Sequence, residues 1–165
     1  MTDALLPEDI LVLARKVVEE NKAAGRKIAL AESCTGGLVA SALTEVPGSS
    51  KVFDRSFVTY SNEAKQDMLG VESDILETFG AVSVACVYAM ARGALERSDA
   101  DVAVAISGIA GPGGGSDIKP VGTVVFARMV RGEEEPTAEE KLFDDNGRSG
   151  VRRQATLCAL ELLLP

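Results

Sequence analysis

The run DVAVAISG, residues 101–108, does most to restrict the fold. It is small, β-branched and apolar nearly throughout, and it reads as a buried strand. KIALAES, residues 27–33, reads the same way. Apolar residues at helical spacing surround both runs. In PEDILVLARKVVEENKAAG (7–25), Ile10, Leu13, Ala14, Val17 and Val18 share a face, Pro7 suits a first turn and Gly25 a stop. Further helices are expected over TGGLVASALTEV (35–46), SNEAKQDML (61–69, capped by Ser61 or Asn62), ESDILETFG (72–80), VACVYAMARGALER (84–97, capped by Ser83) and GRSGVRRQATLCALELLL (147–164). FDRSFVTY (53–60) is another strand. GTVVFARMVRG (122–132) and EEKLFDD (139–145) are two more, joined by the acidic connector EEEPTAEE (133–140) with no helix between them. One strand should therefore run antiparallel. The expected fold is α/β: a three-layer α/β/α sandwich on a mixed, mostly parallel sheet, as one domain over residues 1–165.

Composition narrows the chemistry. Hydrophobic residues make up 46% and aromatics only 4%, so the core is built from Ala, Val, Leu and Ile. A net charge of −8 argues against a non-specific nucleic-acid or anionic-membrane binder, which needs clustered Lys and Arg. A small anionic ligand needs only a local positive pocket. No apolar run approaches the roughly 20 residues of a membrane span, and no basic stretch followed by an apolar one opens the chain. A cytoplasmic location is expected. Cys34, Cys86 and Cys158 are odd in number and far apart, which suggests reduced thiols. There is no histidine, so Ser-His-Asp catalysis, imidazole proton transfer and most catalytic zinc sites are excluded. Acid–base chemistry near neutral pH must then use a shifted Lys, Tyr, Cys or carboxylate.

Three loops fall at the C-terminal ends of expected strands: residues 32–37, 60–65 and 108–122. Ligands of open α/β sheets bind along that edge. If a helix starts near Thr35, the N–H groups of Gly36, Gly37 and Leu38 offer a seat for phosphate or an oxyanion. Otherwise Ser33 or Thr35 merely caps that helix. Lys65 lies four residues after Ser61 on one helix face, and Tyr60 sits at a strand end. Burial would lower the pKa of Lys65, whereas a solvated Lys65 would pair with Glu63 or Asp67. SGIAGPGGGSDIKPVGTV lacks the endings of a P-loop or dinucleotide fingerprint, but a loop of this length in a compact domain is functional more often than not. Arg148 and Arg152 lie one turn apart at the start of the last helix. They suit a phosphate or carboxylate, with Asp144 or Asp145 as the competing partner for Arg148.

Taken together, AESCTGG, FVTYSNEAK, VSVA, SGIAGPGGGSDIKPVGTV and, more loosely, NGRSGVRRQA closely resemble the CinA C-terminal domain family in its stand-alone PncC-type form, the nicotinamide-nucleotide amidases. The likeness spans nearly the whole chain in the family's order. The larger family members carry an additional N-terminal domain, for which 165 residues leave no room. The resemblance implies hydrolysis of nicotinamide mononucleotide to nicotinic acid mononucleotide and ammonia. It also implies no metal or other cofactor, and a homodimer or higher homo-oligomer. By position, Ser33 resembles the nucleophile and Lys65 its base, with Tyr60 assisting. The binding set that the resemblance suggests is Glu32, Thr35, Gly36, Gly37, Ser61, Asn62, Gly108, Ala110, Gly111, Gly113 and Arg148. Cys34 competes with Ser33 as nucleophile; alternation along a strand sends the two in different directions, with Ser33 expected in the cleft. The rival functions are a non-catalytic nucleotide-binding module and an amidase or esterase acting on another nucleotide-like or pterin-like substrate.

Overall fold

The computed structural model describes residues 3–144 and 146–165. Helix α1 (Glu8–Ala24) starts directly after Pro7 and stops at Gly25, whose φ of 64° suits a residue without a side chain. The remaining elements are β1 (Ile28–Glu32), α2 (Leu38–Thr44), β2 (Phe53–Val58), α3 (Asn62–Leu69), α4 (Ser73–Phe79), α5 (Val84–Glu96), β3 (Val102–Gly108), β4 (Thr123–Val130), β5 (Thr137–Leu142) and α6 (Gly147–Leu162). Ser61 caps α3 by accepting from the Ala64 N–H, and Ser83 caps α5 by accepting from Cys86.

The sheet has the strand order β2-β1-β3-β4-β5. β1 lies parallel to both β2 and β3, while β3–β4 and β4–β5 are antiparallel. Four strands therefore point one way and β4 opposes them. Side-chain alternation splits the core into two apolar layers. Ile28, Leu30, Val104, Ile106 and Phe126 pack beneath α1, α2 and α6. Ala29, Ala31, Ala103, Ala105 and Val125 face α5, with Leu69 of α3 and Leu76 of α4. Each fully buried Val, Leu or Ile contributes about 1.5–3 kcal/mol. The alanine face lets α5 lie close to the sheet. Gly93 extends this closeness to α3, because a Cβ there would collide with the Leu69 carbonyl oxygen.

Two boundaries differ from the sequence reading. α2 begins at Leu38 and not near Thr35, because Gly36 and Gly37 adopt φ values of 57° and 100° that an α-helix excludes. β5 begins at Thr137, so much of the acidic connector is strand: Ala138 pairs with Ala127 and packs toward the α5 layer. Asp145, named above as a partner for Arg148, lies outside the described residues.

Candidate active site

The C-terminal ends of β2, β1 and β3 lie side by side, with Glu32 level with Val58 on one side and Ile106 on the other. The segments leaving these three strands therefore meet at one edge. β1 continues into Ser33, whose N–H donates to the Ile106 carbonyl at 3.0 Å. β2 continues into Thr59, Tyr60 and the capped start of α3, which carries Lys65.

Lys65 is only 1% exposed. Its Nζ lies 3.0 Å from Ser33 Oγ, 2.9 Å from the Thr59 carbonyl and 3.1 Å from the Tyr60 carbonyl. Carbonyls only accept, so the two N–H bonds of an uncharged amine satisfy them. As an ammonium Lys65 donates to Ser33 Oγ as well; once uncharged, it would turn its lone pair to the Ser33 hydroxyl, which can then donate to it. Burial depresses the Lys65 pKa below its ordinary 10.5. Ionised Cys86 or Cys34 would oppose this shift, but burial pushes each of those thiols up to about 11. Among the described residues Lys65 forms no ion pair, which sets aside the pairing with Glu63 or Asp67.

Ser33 and Lys65 open into a cleft of about 280 Å³. Cys34, Tyr60, Asn62, Ala81, Val82, residues 107–111, Gly113, Gly114 and Arg148 complete its lining. The glycine-rich segment is pinned at its root by Gly122 N–H to Ile109 O at 2.9 Å. Farther along, Lys119 Nζ donates to the carbonyls of Phe79 and Val82, tying the loop to the start of α5. Arg148 donates to the Gly111 carbonyl at 2.8 Å and to the Tyr60 hydroxyl at 2.9 Å. Two of its five N–H groups hold the cleft together, and the others have no partner among the described residues. Arg152 has a different task. Its Nε donates to Cys34 O at 3.0 Å and its Nη2 to Thr35 O at 3.4 Å, bracing the turn after Ser33 from outside the cleft.

The α2 start is not the anion seat that the sequence suggested. Glu32 is fully buried, and its carboxylate accepts from Val39 N–H at 3.0 Å, Ala40 N–H at 3.2 Å and the Ser56 hydroxyl at 3.1 Å. The chain's own carboxylate thus occupies the positive end of the helix. Gly36 N–H donates to Ser33 O and Leu38 N–H to Thr35 O, so neither is free. Among the described residues the N–H groups of Cys34 and Thr35 have no acceptor, and Cys34 lines the cleft. Thr35 is fully buried and outside the lining, so of these two the Cys34 N–H is the donor that borders the cleft, while the N–H groups of Gly36 and Leu38 are engaged.

Of the residues singled out in the sequence, Ser33, Tyr60, Asn62, Lys65, Gly108, Ala110, Gly111, Gly113 and Arg148 come together around the cleft. Glu32, Thr35, Gly36, Gly37 and Ser61 do not line it. Glu32 and Ser61 serve as caps; Thr35 is fully buried; Gly36 and Gly37 form the turn. Tyr60 meets Lys65 through its carbonyl, while its phenol reaches Arg148. Cys34 belongs to the apolar layer beneath α1, α2 and α6. The sequence reading missed Ser107, Ala81, Val82 and the bracing role of Arg152. VSVA, at the start of α5, was the visible signal for the wall that Ala81 and Val82 form.

Fold and site together describe an α/β protein with a small polar cleft built around a serine and a buried lysine. The chain belongs to the CinA C-terminal domain family, whose profile matches residues 11–165. It is similar to a protein of Escherichia coli K12 named nicotinamide-nucleotide amidohydrolase PncC: 50% identical over 163 residues, 99% of this chain and 95% of that one. A CinA-like protein of Akkermansia muciniphila is 55% identical over 138 residues, 84% of this chain but 33% of that longer protein. The crystal structure of the competence/damage inducible protein CihA from Agrobacterium tumefaciens matches with a TM-score of 0.93 at 51% identity, covering 97% of this chain and 96% of that chain.

Proposed function

We propose that this chain is a nicotinamide-nucleotide amidohydrolase, converting nicotinamide mononucleotide and water to nicotinic acid mononucleotide and ammonia. The 3.0 Å approach of Ser33 Oγ to a buried lysine nitrogen, without an ion pair among the described residues, carries this reading. Near-full-length likeness to a protein of that name supports the substrate.

An amide is unreactive, and a covalent intermediate divides its hydrolysis into two easier steps. Ser33 Oγ attacks the carboxamide carbon while Lys65, uncharged, takes the hydroxyl proton. The oxygen that gains charge sits against the Cys34 N–H; removing such a donor typically costs about 100- to 1000-fold in rate. The C–N bond then breaks, Lys65 returns the proton to nitrogen, and ammonia leaves an ester on Ser33. Water attacks that ester with Lys65 again as base, freeing the acid and restoring the serine. Arg148 and the glycine-rich loop hold the ribose phosphate, and Tyr60 holds Arg148. Three free cysteines and a nucleotide substrate fit a reducing, cytoplasmic setting. A homo-oligomeric state remains part of this reading on the family resemblance, and sedimentation measures it.

The test is ammonia release from nicotinamide mononucleotide by the purified protein beside Lys65→Ala. Turnover by the wild type and its loss in the variant support the reading. Equal activity in both ends the role of Lys65, and binding without ammonia release ends the amidase reading.

A further inference from the structure

Ser107 has no role in the mechanism above. It is 1% exposed and lies at the end of β3, yet it lines the cleft. Its hydroxyl has no partner among the described residues. It is also not among the sealed, unpartnered hydroxyls, which are those of Thr35 and Thr59. The Ser107 oxygen therefore opens into the cleft.

Register places it beside the nucleophile. Ala31 pairs with Ala105 and Glu32 with Ile106, so Ser33 and Ser107 are neighbours one position beyond the ladder. Both continue the file of side chains that faces α5, after Ala29 and Ala31 on β1 and Ala103 and Ala105 on β3. Adjacent strands lie about 4.8 Å apart, close enough for one carboxamide to contact both hydroxyls.

A carboxamide brings an oxygen that needs donors and an NH₂ that needs an acceptor. The Cys34 N–H serves the oxygen. For the nitrogen the choice among the described side chains is narrow: no carboxylate lines the cleft, Arg148 only donates, the Tyr60 phenol is engaged by Arg148, Ser33 attacks and the Lys65 lone pair takes its proton, which leaves Asn62 at the start of α3 and Ser107, the one that the register sets beside Ser33. We propose that the Ser107 hydroxyl accepts a hydrogen bond from the scissile amide N–H, turning the leaving nitrogen toward Lys65. This rests on the amidase reading above and makes Ser107 a residue that selects amides over esters.

An ester of the same acid has no N–H to offer, and this separates the role from a structural one. Wild type, Ser107→Ala and Ser107→Thr are assayed on nicotinamide mononucleotide and on the methyl ester of nicotinic acid mononucleotide. Ser107→Ala should lower kcat/KM on the amide about 10- to 100-fold, leave the ester within about threefold, and regain part of the amide rate as Ser107→Thr. Equal losses on both substrates, or no loss on the amide, overturn the proposal. A wild-type protein that releases no ammonia defeats the amidase reading first, and this proposal with it.

Discussion

Glu32 and Ser33 are neighbours in the chain but act on opposite faces of the sheet. Glu32 caps α2 on the side of α1 and α6, and Ser33 meets Lys65 on the side of α5. The carboxylate thereby fixes where the nucleophile's turn can go without touching the cleft. Glu32→Ala strands two backbone donors and the Ser56 hydroxyl. A lost cap costs about 0.5–2 kcal/mol and each stranded buried donor about 1–3 kcal/mol. After partial relaxation, urea unfolding should show a loss of about 2–4 kcal/mol, with Glu32→Gln falling between, since it keeps one acceptor oxygen. A loss below about 0.5 kcal/mol would mean that the cap is dispensable.

Cys34 is a stronger nucleophile than a serine only as a thiolate. With its pKa pushed up to about 11, that form is about one part in 10⁴ at neutral pH. Cys34→Ala should keep most of the turnover and lose about 1 kcal/mol of stability from the small cavity it leaves. Ser33→Ala should lose about 10³-fold or more. Steady-state assays of the two variants decide between the sulfur and the oxygen, and an inert Cys34→Ala beside an active Ser33→Ala reverses the assignment.

Lys65 works only without its proton. Its folded-state pKa lies below the ordinary 10.5, so kcat/KM should rise with pH along an acid limb centred below that value. Lys65→Arg, which stays charged, should be inert throughout. The same shift predicts the sign of a stability effect. Between the depressed folded value and 10.5, the unfolded chain binds a proton that the folded chain does not. Unfolding free energy therefore rises with pH through that window. Lys65→Met cannot titrate and should flatten this rise. Denaturant unfolding at a series of alkaline pH values measures it, and an unchanged slope in the variant would refute the assignment.

Local signals made part of this legible in the sequence. Apolar runs announced β1 and β3, and Ser61, Ser83 and Gly25 announced helix ends, because a strand's burial and a helix's caps are written within a few residues. SNEAKQDML, by contrast, looks like a solvated helix; Lys65 is buried because α3 packs against α5 and carries Nζ to Ser33 and the Thr59 and Tyr60 carbonyls, a tertiary fact. The Ser33–Lys65 pair spans 32 residues and became visible through family likeness, not spacing. Glu32 beside the nucleophile looks like a ligand group, and only the late start of α2 shows it to be a cap. Ser107 was hidden because a serine ending a strand is ordinary until the parallel register sets it beside Ser33. The acidic residues around Thr137 concealed the start of β5, since an edge strand tolerates charges that a central one excludes.

Arg148 and Arg152 lie on one helix but should fail differently. Arg148 faces the cleft, and a charge-assisted bond to phosphate contributes about 1.5–3 kcal/mol, so Arg148→Ala should raise KM about 10- to 100-fold with little change in kcat. Arg152 holds the carbonyls of Cys34 and Thr35. Gripping both carbonyls fixes the turn after Ser33 and with it the position of the Cys34 N–H beside the nucleophile. Arg152→Ala should therefore lower kcat about 10- to 100-fold and leave KM nearly unchanged. Lysine at that position should not rescue it, lacking the fork. Steady-state kinetics on the two variants reads the split directly, and the reverse pattern would exchange the roles.

Gly93 offers a test in which two effects oppose in sign. It lies inside α5, where alanine is favoured over glycine by about 1 kcal/mol on helix propensity alone. Its missing Cβ is what lets the end of α3 approach, and the Leu69 carbonyl oxygen fills that space. Backbone cannot yield as a flexible side chain does, and overpacking costs about 1–3 kcal/mol. Packing should win, so Gly93→Ala lowers Tm. Lys65 lies one turn before Leu69 on the same helix, so displacement of α3 also moves Nζ away from Ser33, and a shift of about 1 Å can cost about 100-fold in rate. Gly93→Ala should thus lose stability and kcat together, although Gly93 does not line the cleft. A more stable, fully active variant would show that α3 tolerates displacement without moving the base.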